Sequence, residues 1–326
     1  QKNLSLKLTR LRMPNSMSHV EVHKQGHRLM GNYFEISVVS DNADYANRCI
    51  DQAVEEIKRI ERLLTTFNDQ SQTNQVNAMA GIAPVEVDAE MFDLIARAQR
   101  ISALTQGAFD ITYGSIDKSL WNFDTNMTAL PSKEIALESV RLINYQHVIL
   151  NPERRTVFLK EKGMRIGFGG IGKGYAAEKA KQLLKSLGIQ SGIVNAAGDL
   201  TTWGNQPNGK PWTIGIANPQ AGESPFSYLS ISDVAVATSG NYEKYVMIDG
   251  KKYSHTIDPQ TGLPVSGIQS VTIISPNAEL SDAMATPVMV MGIRVGLDLI
   301  NQMRQIACII IDDQNKIYTS RNINIK

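Results

Sequence analysis

The chain has 326 residues, 42% hydrophobic and 20% charged, the proportions of a globular protein with a proper core and room for one large domain or two ordinary ones. Its 33 basic and 32 acidic residues leave a net charge of +1, so nothing in the balance favours nucleic acid or a membrane surface as partner. The two cysteines are far apart, Cys308 in the apolar run IACIII reads as a core thiol, and no segment reaches the roughly 20 apolar residues of a membrane helix.

The opening residues are basic, lack an apolar stretch and start with Gln, which fits a processed or trimmed product. His19, His23 and His27 fall here without a neighbouring carboxylate or Cys cluster, so they read as part of a solvated strand or arm rather than a metal site. Residues 1–26 are taken as an N-terminal extension and 27–326 as the functional domain. From there the β-branched runs at 32–40, 155–161, 191–196, 212–217, 235–240, 244–249, 269–276 and 305–312 predict strands bounded by Gly, Pro, Asn or Asp. Apolar spacing of three and four predicts helices over 43–67, 90–106, 132–143, 172–188 and 280–303. KYVMIDGKKYSHTID reads as a hairpin turning at Gly250. Strands outnumber helices and come in neighbouring pairs, so the expected fold is α+β: mixed, largely antiparallel sheets with packed helices, not a doubly wound parallel sheet.

The stretch IGFGGIGKGY (166–175) leads into a helical run and fits two phosphate-binding patterns incompletely. Gly167, Gly169 and Gly172 spell the dinucleotide fingerprint, but no acidic residue stands about 20 positions on to hold a ribose. Gly167, Gly172 and Lys173 spell a P-loop, but Gly174 replaces the Ser or Thr that ligates magnesium. A plain reading is a glycine turn that lets a helix pack closely on a strand. The other is an anion site: free N–H groups at a helix start, glycines that admit a ligand, and the charge of Lys173.

Four more stretches stand out: LMGNYFEISV with Met30-Gly31, TQGAFDITYG (105–114), ATSGNYEKYV with YSHTIDPQTGLPV (237–265), and LSDAMATPV (280–288). Asp282 and Thr286 are four apart, so on a helix they share a face and offer two hard oxygens suited to Mg²⁺. The same residues also fit a plainer role, with Ser281 or Asp282 capping the helix and Thr286 filling space. His255 is a candidate general base or a hydrogen-bonded structural histidine. Asp258 orients it or makes the DPQTG turn.

With the glycine loop and VNAAGDL (194–200), these stretches resemble, in order over residues 30–292, the motifs of the ApbE-like family of FAD:protein FMN transferases. The resemblance implies an ApbE-like, T-fold-like architecture. It implies a Mg²⁺-dependent enzyme that cleaves the pyrophosphate of FAD, its substrate, and transfers FMN to a Ser or Thr hydroxyl of a target protein with release of AMP. Two alternatives stay open: an FAD pyrophosphatase giving FMN and AMP, and a flavin-binding carrier without turnover. The implied acceptor is a subunit of a membrane redox complex. The implied location is the periplasm or cell envelope, with anchoring through a removed lipid-bearing segment among the options.

Carried over position by position, the resemblance implies a metal set of Gly170 through its carbonyl, Asp282, Ala285 and Thr286. Met30 and Phe67 would pack the flavin or adenine. Ala108, Phe109 and Asp110 would line the adenosine part, with Asp110 accepting hydrogen bonds. Gly167, Lys173, Thr238 and Ile257 complete the FAD contacts, and His255 with Asp258 supplies catalysis. The sequence departs from the family pattern at Gly167, where Asp is frequent, at Asn32 for Thr, at Phe67 for Tyr, and at Pro287, expected to kink the helix beside Thr286.

Overall fold

The computed structural model describes residues 19–121, 127–216, 227–240 and 244–323. Strands β1 (Glu21–Leu29) and β2 (Asn32–Ser40) form a hairpin closed by Met30 and Gly31, with φ of 53° and 72°. That two-residue turn with both φ values positive matches the strand twist. β1 thus begins inside the expected N-terminal extension, whose residues 1–18 lie outside the described ones.

Helix α1 (Ala43–Leu64) is capped by Asn42, which accepts from the Tyr45 N–H, and buries Ala46, Ile50, Ala53, Ile57 and Ile60 on one stripe. A short helix α2 (Gln72–Ala78), not foreseen in the sequence, follows, then β3 (Val85–Glu86), α3 (Ala89–Leu104) and α4 (Lys133–Ser139). β4 (Val148–Asn151) and β5 (Thr156–Leu159) complete a three-stranded sheet with β3. After the glycine loop come α5 (Gly172–Ser186), β6 (Gly192–Ala196), β7 (Asp199–Trp203), β8 (Trp212–Ile216) and β9 (Ser227–Ile231). Then follow β10 (Ala235–Gly240), β11 (Tyr245–Ile248), β12 (Lys251–Ser254) and β13 (Ile268–Ser275). The chain closes with α6 (Ala278–Met291), α7 (Ile293–Gln302), β14 (Ala307–Asp312) and β15 (Ile317–Thr319).

The main sheet has eight strands in the order β1-β2-β6-β7-β10-β13-β14-β15, and each neighbouring pair is antiparallel. This is the α+β architecture expected from the sequence. α5 packs between α1 and α6, all three lie on strands of the main sheet, and their apolar faces make the principal core. Trp212 and Ile231 of the β8–β9 hairpin pack with Leu200 and Val236 of the sheet in a second, smaller cluster. The expected helix over 280–303 is two helices. Gly292, at φ 85°, adopts a left-handed conformation that ends α6, and α7 starts anew. α6 itself stays helical through Pro287 to Met291. The β11–β12 hairpin turns at Asp249 and Gly250, both with positive φ, so Lys251 and Lys252 belong to β12 rather than to the turn. Cys49 and Cys308 are both buried free thiols, and burial pushes Cys308 up to about 12. No described helix is long and apolar enough to cross a membrane.

Candidate active site

The glycine loop is held at its start and bare in its middle. The Ile166 N–H donates to Asn77 Oδ1 at 2.7 Å, and its carbonyl accepts from Asn77 Nδ2 at 3.1 Å. The Gly167 N–H donates to the Ile111 carbonyl at 2.9 Å. Gly169 has open space where a Cβ would stand, whereas a Cβ on Gly170 would meet the Phe109 ring at 3.3 Å. α5 begins directly after, and Ile171 supplies no side-chain cap. At the helix start the Gly172 N–H donates to the Phe168 carbonyl at 2.6 Å, which leaves the Lys173 N–H and the loop amides of Gly169 and Gly170 as candidates to meet an anion, with the partial positive charge of the helix end behind them.

Gly174 shows why this loop is not a P-loop. A Cβ there would lie 2.2 Å from the Ala278 carbonyl oxygen and 2.6 Å from Asp282 Cβ, so no Ser or Thr fits. α6 occupies that space. The Gly174 N–H donates to Asp282 Oδ2 at 2.8 Å, and the Ala278 N–H at the start of α6 donates to Glu178 Oε2 at 2.9 Å. On its outer side α6 is tied to α3 by the ion pair Arg97–Glu279 at 2.8 Å. These contacts fix the register of α6, and hence the heights of Asp282 and Thr286, against the glycine loop.

Asp282 faces a second carboxyl that the sequence reading did not single out. Asp199, the first residue of β7, is 6% exposed and Asp282 8%. Burial pushes Asp282 up to about 7, and the neighbouring Asp199 adds to the rise. Burial raises Asp199 as well, against the pull of Lys173, whose Nζ lies 3.3 Å from Asp199 Oδ2. Asp199 Oδ1 also accepts from the Thr238 N–H at 3.2 Å. In the sequence the only signal was an acid right after the glycine of VNAAGDL. Its partners come from α5, β10 and α6, which only the fold brings together.

Next to the pair, Thr286 Oγ1 lies 3.4 Å from Ser239 Oγ, and Thr238 Oγ1 is 3.1 Å from Thr272 Oγ1. Two buried carboxyls and the half-buried Thr286 hydroxyl form a set of hard oxygen donors of the kind a divalent cation takes. Ala285 is buried on α6, so any contribution to a ligand comes from its backbone.

His255 is exposed and follows β12 directly. Its backbone N–H and its Nδ1 both lie 3.2 Å from the Lys244 carbonyl. A carbonyl only accepts, so Nδ1 carries the proton and Nε2 is left as the free acceptor. Asp258 does not hold this ring. Its Oδ1 accepts from the Gln260 N–H at 2.9 Å and its backbone closes the turn with Leu263 and Gly262, so the turn-making role is the observed one.

Asp110 likewise spends its oxygens internally. Oδ1 accepts from the Thr112 N–H and hydroxyl, and Oδ2 from the Tyr145 N–H at 2.8 Å. Burial raises its pKa although these bonds oppose the rise. These bonds shape the loop, and Oδ2, with one donor, keeps room for another. Phe109 is buried against Gly170, and Ala108 is half-buried beside it. Ile257 is buried with Ile116 and Val140. Met30 reaches the loop from the other side, its terminal methyl 3.6 Å from where a Gly172 Cβ would be, while its N–H donates to Glu61 Oε2 at 3.0 Å. Phe67 is 99% exposed on a segment whose Thr66 methyl stands 3.7 Å from the Cβ position of Gly167. Residues 241–243, inside the stretch ATSGNYEKYV, lie outside the described residues.

Met30, Thr66, Phe109, Asp282 and, through Lys173, Asp199 thus meet around the glycine loop, while His255 is tied to Lys244. Residues 30–310 match the sequence model of the ApbE family. The chain belongs to the ApbE family. Among curated relatives, the FAD:protein FMN transferase of Klebsiella pneumoniae (strain 342) is 31% identical over 306 residues, covering 93% of each chain. Among solved structures, the ApbE protein of Thermotoga maritima superposes with a TM-score of 0.81 at 31% identity over 92% of this chain and 97% of its own. The flavinyl transferase ApbE of Pseudomonas stutzeri, in its apo form, gives a TM-score of 0.79 at 27% identity, covering 92% and 94%. The ApbE-family fold is therefore shared over nearly the whole chain.

Proposed function

We propose that this ApbE-family protein takes FAD as substrate and transfers its FMN half to a Ser or Thr hydroxyl of an acceptor protein, releasing AMP. The observation that carries the reading is the meeting of three parts at one loop. These are the bare glycine loop at the start of α5, the Asp199–Asp282 pair with Lys173 beside it, and the Ser239–Thr286 hydroxyl contact. The relatives named as FAD:protein FMN transferases support it.

The residues divide the work as follows. The glycine-loop amides and Lys173 bind the diphosphate oxygens. Asp282, Thr286 and the Gly170 carbonyl would hold Mg²⁺, with the Ala285 backbone alongside. A bound Mg²⁺ would supply charge neutralisation across the diphosphate and make phosphorus more electrophilic. Phe67 and Met30 present apolar surface to a ring system. His255 Nε2 takes the proton of the acceptor hydroxyl as its oxygen attacks phosphorus. The P–O bond toward AMP breaks, and AMP leaves with the bridging oxygen. In this reading the acceptor is a subunit of a membrane redox complex and the protein works in the periplasm or cell envelope, which is supported by the motif resemblance.

The test is to incubate the protein with FAD, Mg²⁺ and a redox-subunit domain, then look for flavin fluorescence on the acceptor band of a denaturing gel. A Mg²⁺-dependent fluorescent acceptor is expected. Free FMN and AMP with a dark acceptor would indicate hydrolysis, and intact FAD would overturn the enzymatic reading.

A further inference from the structure

Single exposed apolar side chains are ordinary on a protein surface. Phe67 is distinguished by the stiffness of the backbone that carries it. Its N–H donates to Thr65 Oγ1 at 3.1 Å, and the Thr65 carbonyl accepts from Ser71 Oγ at 2.6 Å. Asn74 Nδ2 reaches the carbonyls on both sides of the ring, Thr66 at 2.8 Å and Asn68 at 3.0 Å. Asn77 Nδ2 then donates to Asn74 Oδ1 at 3.3 Å, while the same side chain makes the paired bonds to Ile166. Both asparagines are 7% exposed. A buried amide chain therefore runs from the backbone under Phe67 to the residue that opens the glycine loop.

We infer that Asn74 and Asn77 are positioning residues that lock the Phe67 segment to the glycine loop, so that the aromatic ring and the phosphate cradle act as one rigid receptor for a flat ring joined to a diphosphate. The inference rests on the FAD reading above. Its physical content is preorganisation: with the backbone that carries the ring fixed before binding, only the side-chain torsions of Phe67 are left to lose when the ligand stacks on it. Removing the amide chain should free the Phe67 segment from the loop and remove the benefit of the ring, even though neither asparagine touches the ligand.

A double-mutant cycle on FAD affinity tests this, using the full chain and FAD fluorescence. Phe67→Ala and Asn77→Ala should each weaken FAD binding by about tenfold, and the double variant should be little weaker than either single one, because contacts acting through one another are not additive. Thermal melting is the control, since the exposed Phe67 can be removed with little change in Tm whereas Asn77→Ala lowers it. A purely structural Asn77 would lower Tm while its effect on affinity multiplied with that of Phe67→Ala, and that result would overturn the inference, as would wild-type affinity in either single variant. Should Asn77→Ala not fold, Asn74→Ala removes the Thr66 and Asn68 contacts while sparing the Ile166 pair, and the same coupling is expected. If the unchanged protein does not bind FAD, the functional reading fails first and this inference with it.

Discussion

The amide of Gly174 donates to the Asp282 carboxylate across the contact between α5 and α6, at 2.8 Å. This bond joins the glycine loop to the proposed metal site. It exists because Gly174 has no side chain and α6 can come up against the backbone of α5.

Gly174→Ser would spell a formal P-loop and should damage the protein. The new Cβ needs space already taken by the Ala278 carbonyl and Asp282. Overpacking of this kind costs about 1–3 kcal/mol. Chemical denaturation should show that loss, and FAD turnover should fall with it. Gly169→Ala, at an open position, should leave the unfolding midpoint close to that of the parent. Equal stability of the Gly174→Ser variant would contradict the packing described.

Asp282→Ala should abolish Mg²⁺-dependent release of AMP from FAD. Asp199→Asn should weaken Mg²⁺ binding while leaving the Thr238 N–H with an oxygen acceptor. It also removes a neighbouring negative charge, so Asp282 should ionise at lower pH than in the parent. Isothermal titration with Mg²⁺ and an AMP assay would check both. Unchanged AMP release from Asp282→Ala would remove it from the metal site.

The raised pKa of Asp282 has a measurable sign. Folded, this carboxyl keeps its proton up to about pH 7, whereas the unfolded chain releases it at an ordinary aspartate value. Between those values the folded state binds more protons, so stability falls as pH rises. A divalent cation binds the ionised form and competes with that proton. The gain in Tm from added Mg²⁺ should therefore be larger near pH 8 than near pH 5. Equal gains at both would show that Asp282 is not the group that the cation meets.

His255→Ala should slow transfer to the acceptor by about 10²–10⁴-fold, the usual weight of a general base, with FAD binding retained. Asp258→Asn should change the rate much less, because Asp258 serves its own turn and the Lys244 carbonyl orients the ring. Single-turnover labelling of the acceptor would compare the two. A larger loss from Asp258→Asn would reverse the assignment.

Several features were legible because they rest on local chemistry. The stripe Ala46, Ile50, Ala53, Ile57, Ile60 has helical spacing whatever its surroundings, and α1 follows it. Gly250 marked a hairpin because few other residues tolerate positive φ. The break at Gly292 was hidden, since apolar residues on both sides kept the same periodicity and only the backbone conformation separates α6 from α7. The α2 segment was missed because its buried residues include Thr73, Asn74 and Asn77, polar side chains whose partners are backbone carbonyls at the end of α1, in the loop after it and in the glycine loop.

By itself the sequence determined the α+β class, the principal helices, five of the eight main-sheet strands (β1, β7 and β15 were not among them) and the set of motifs that place the chain in its family, because propensity, periodicity and glycine geometry act over a few residues. Only the tertiary structure decided how those motifs share the work. It put Asp199 against Asp282 and Lys173, gave His255 to the Lys244 carbonyl rather than to Asp258, tied Asp110 to the Tyr145 N–H, and filled with α6 the space a P-loop hydroxyl would need. Each of these depends on burial or on a partner far away in sequence, and neither quantity exists until the sheet and its helices have packed.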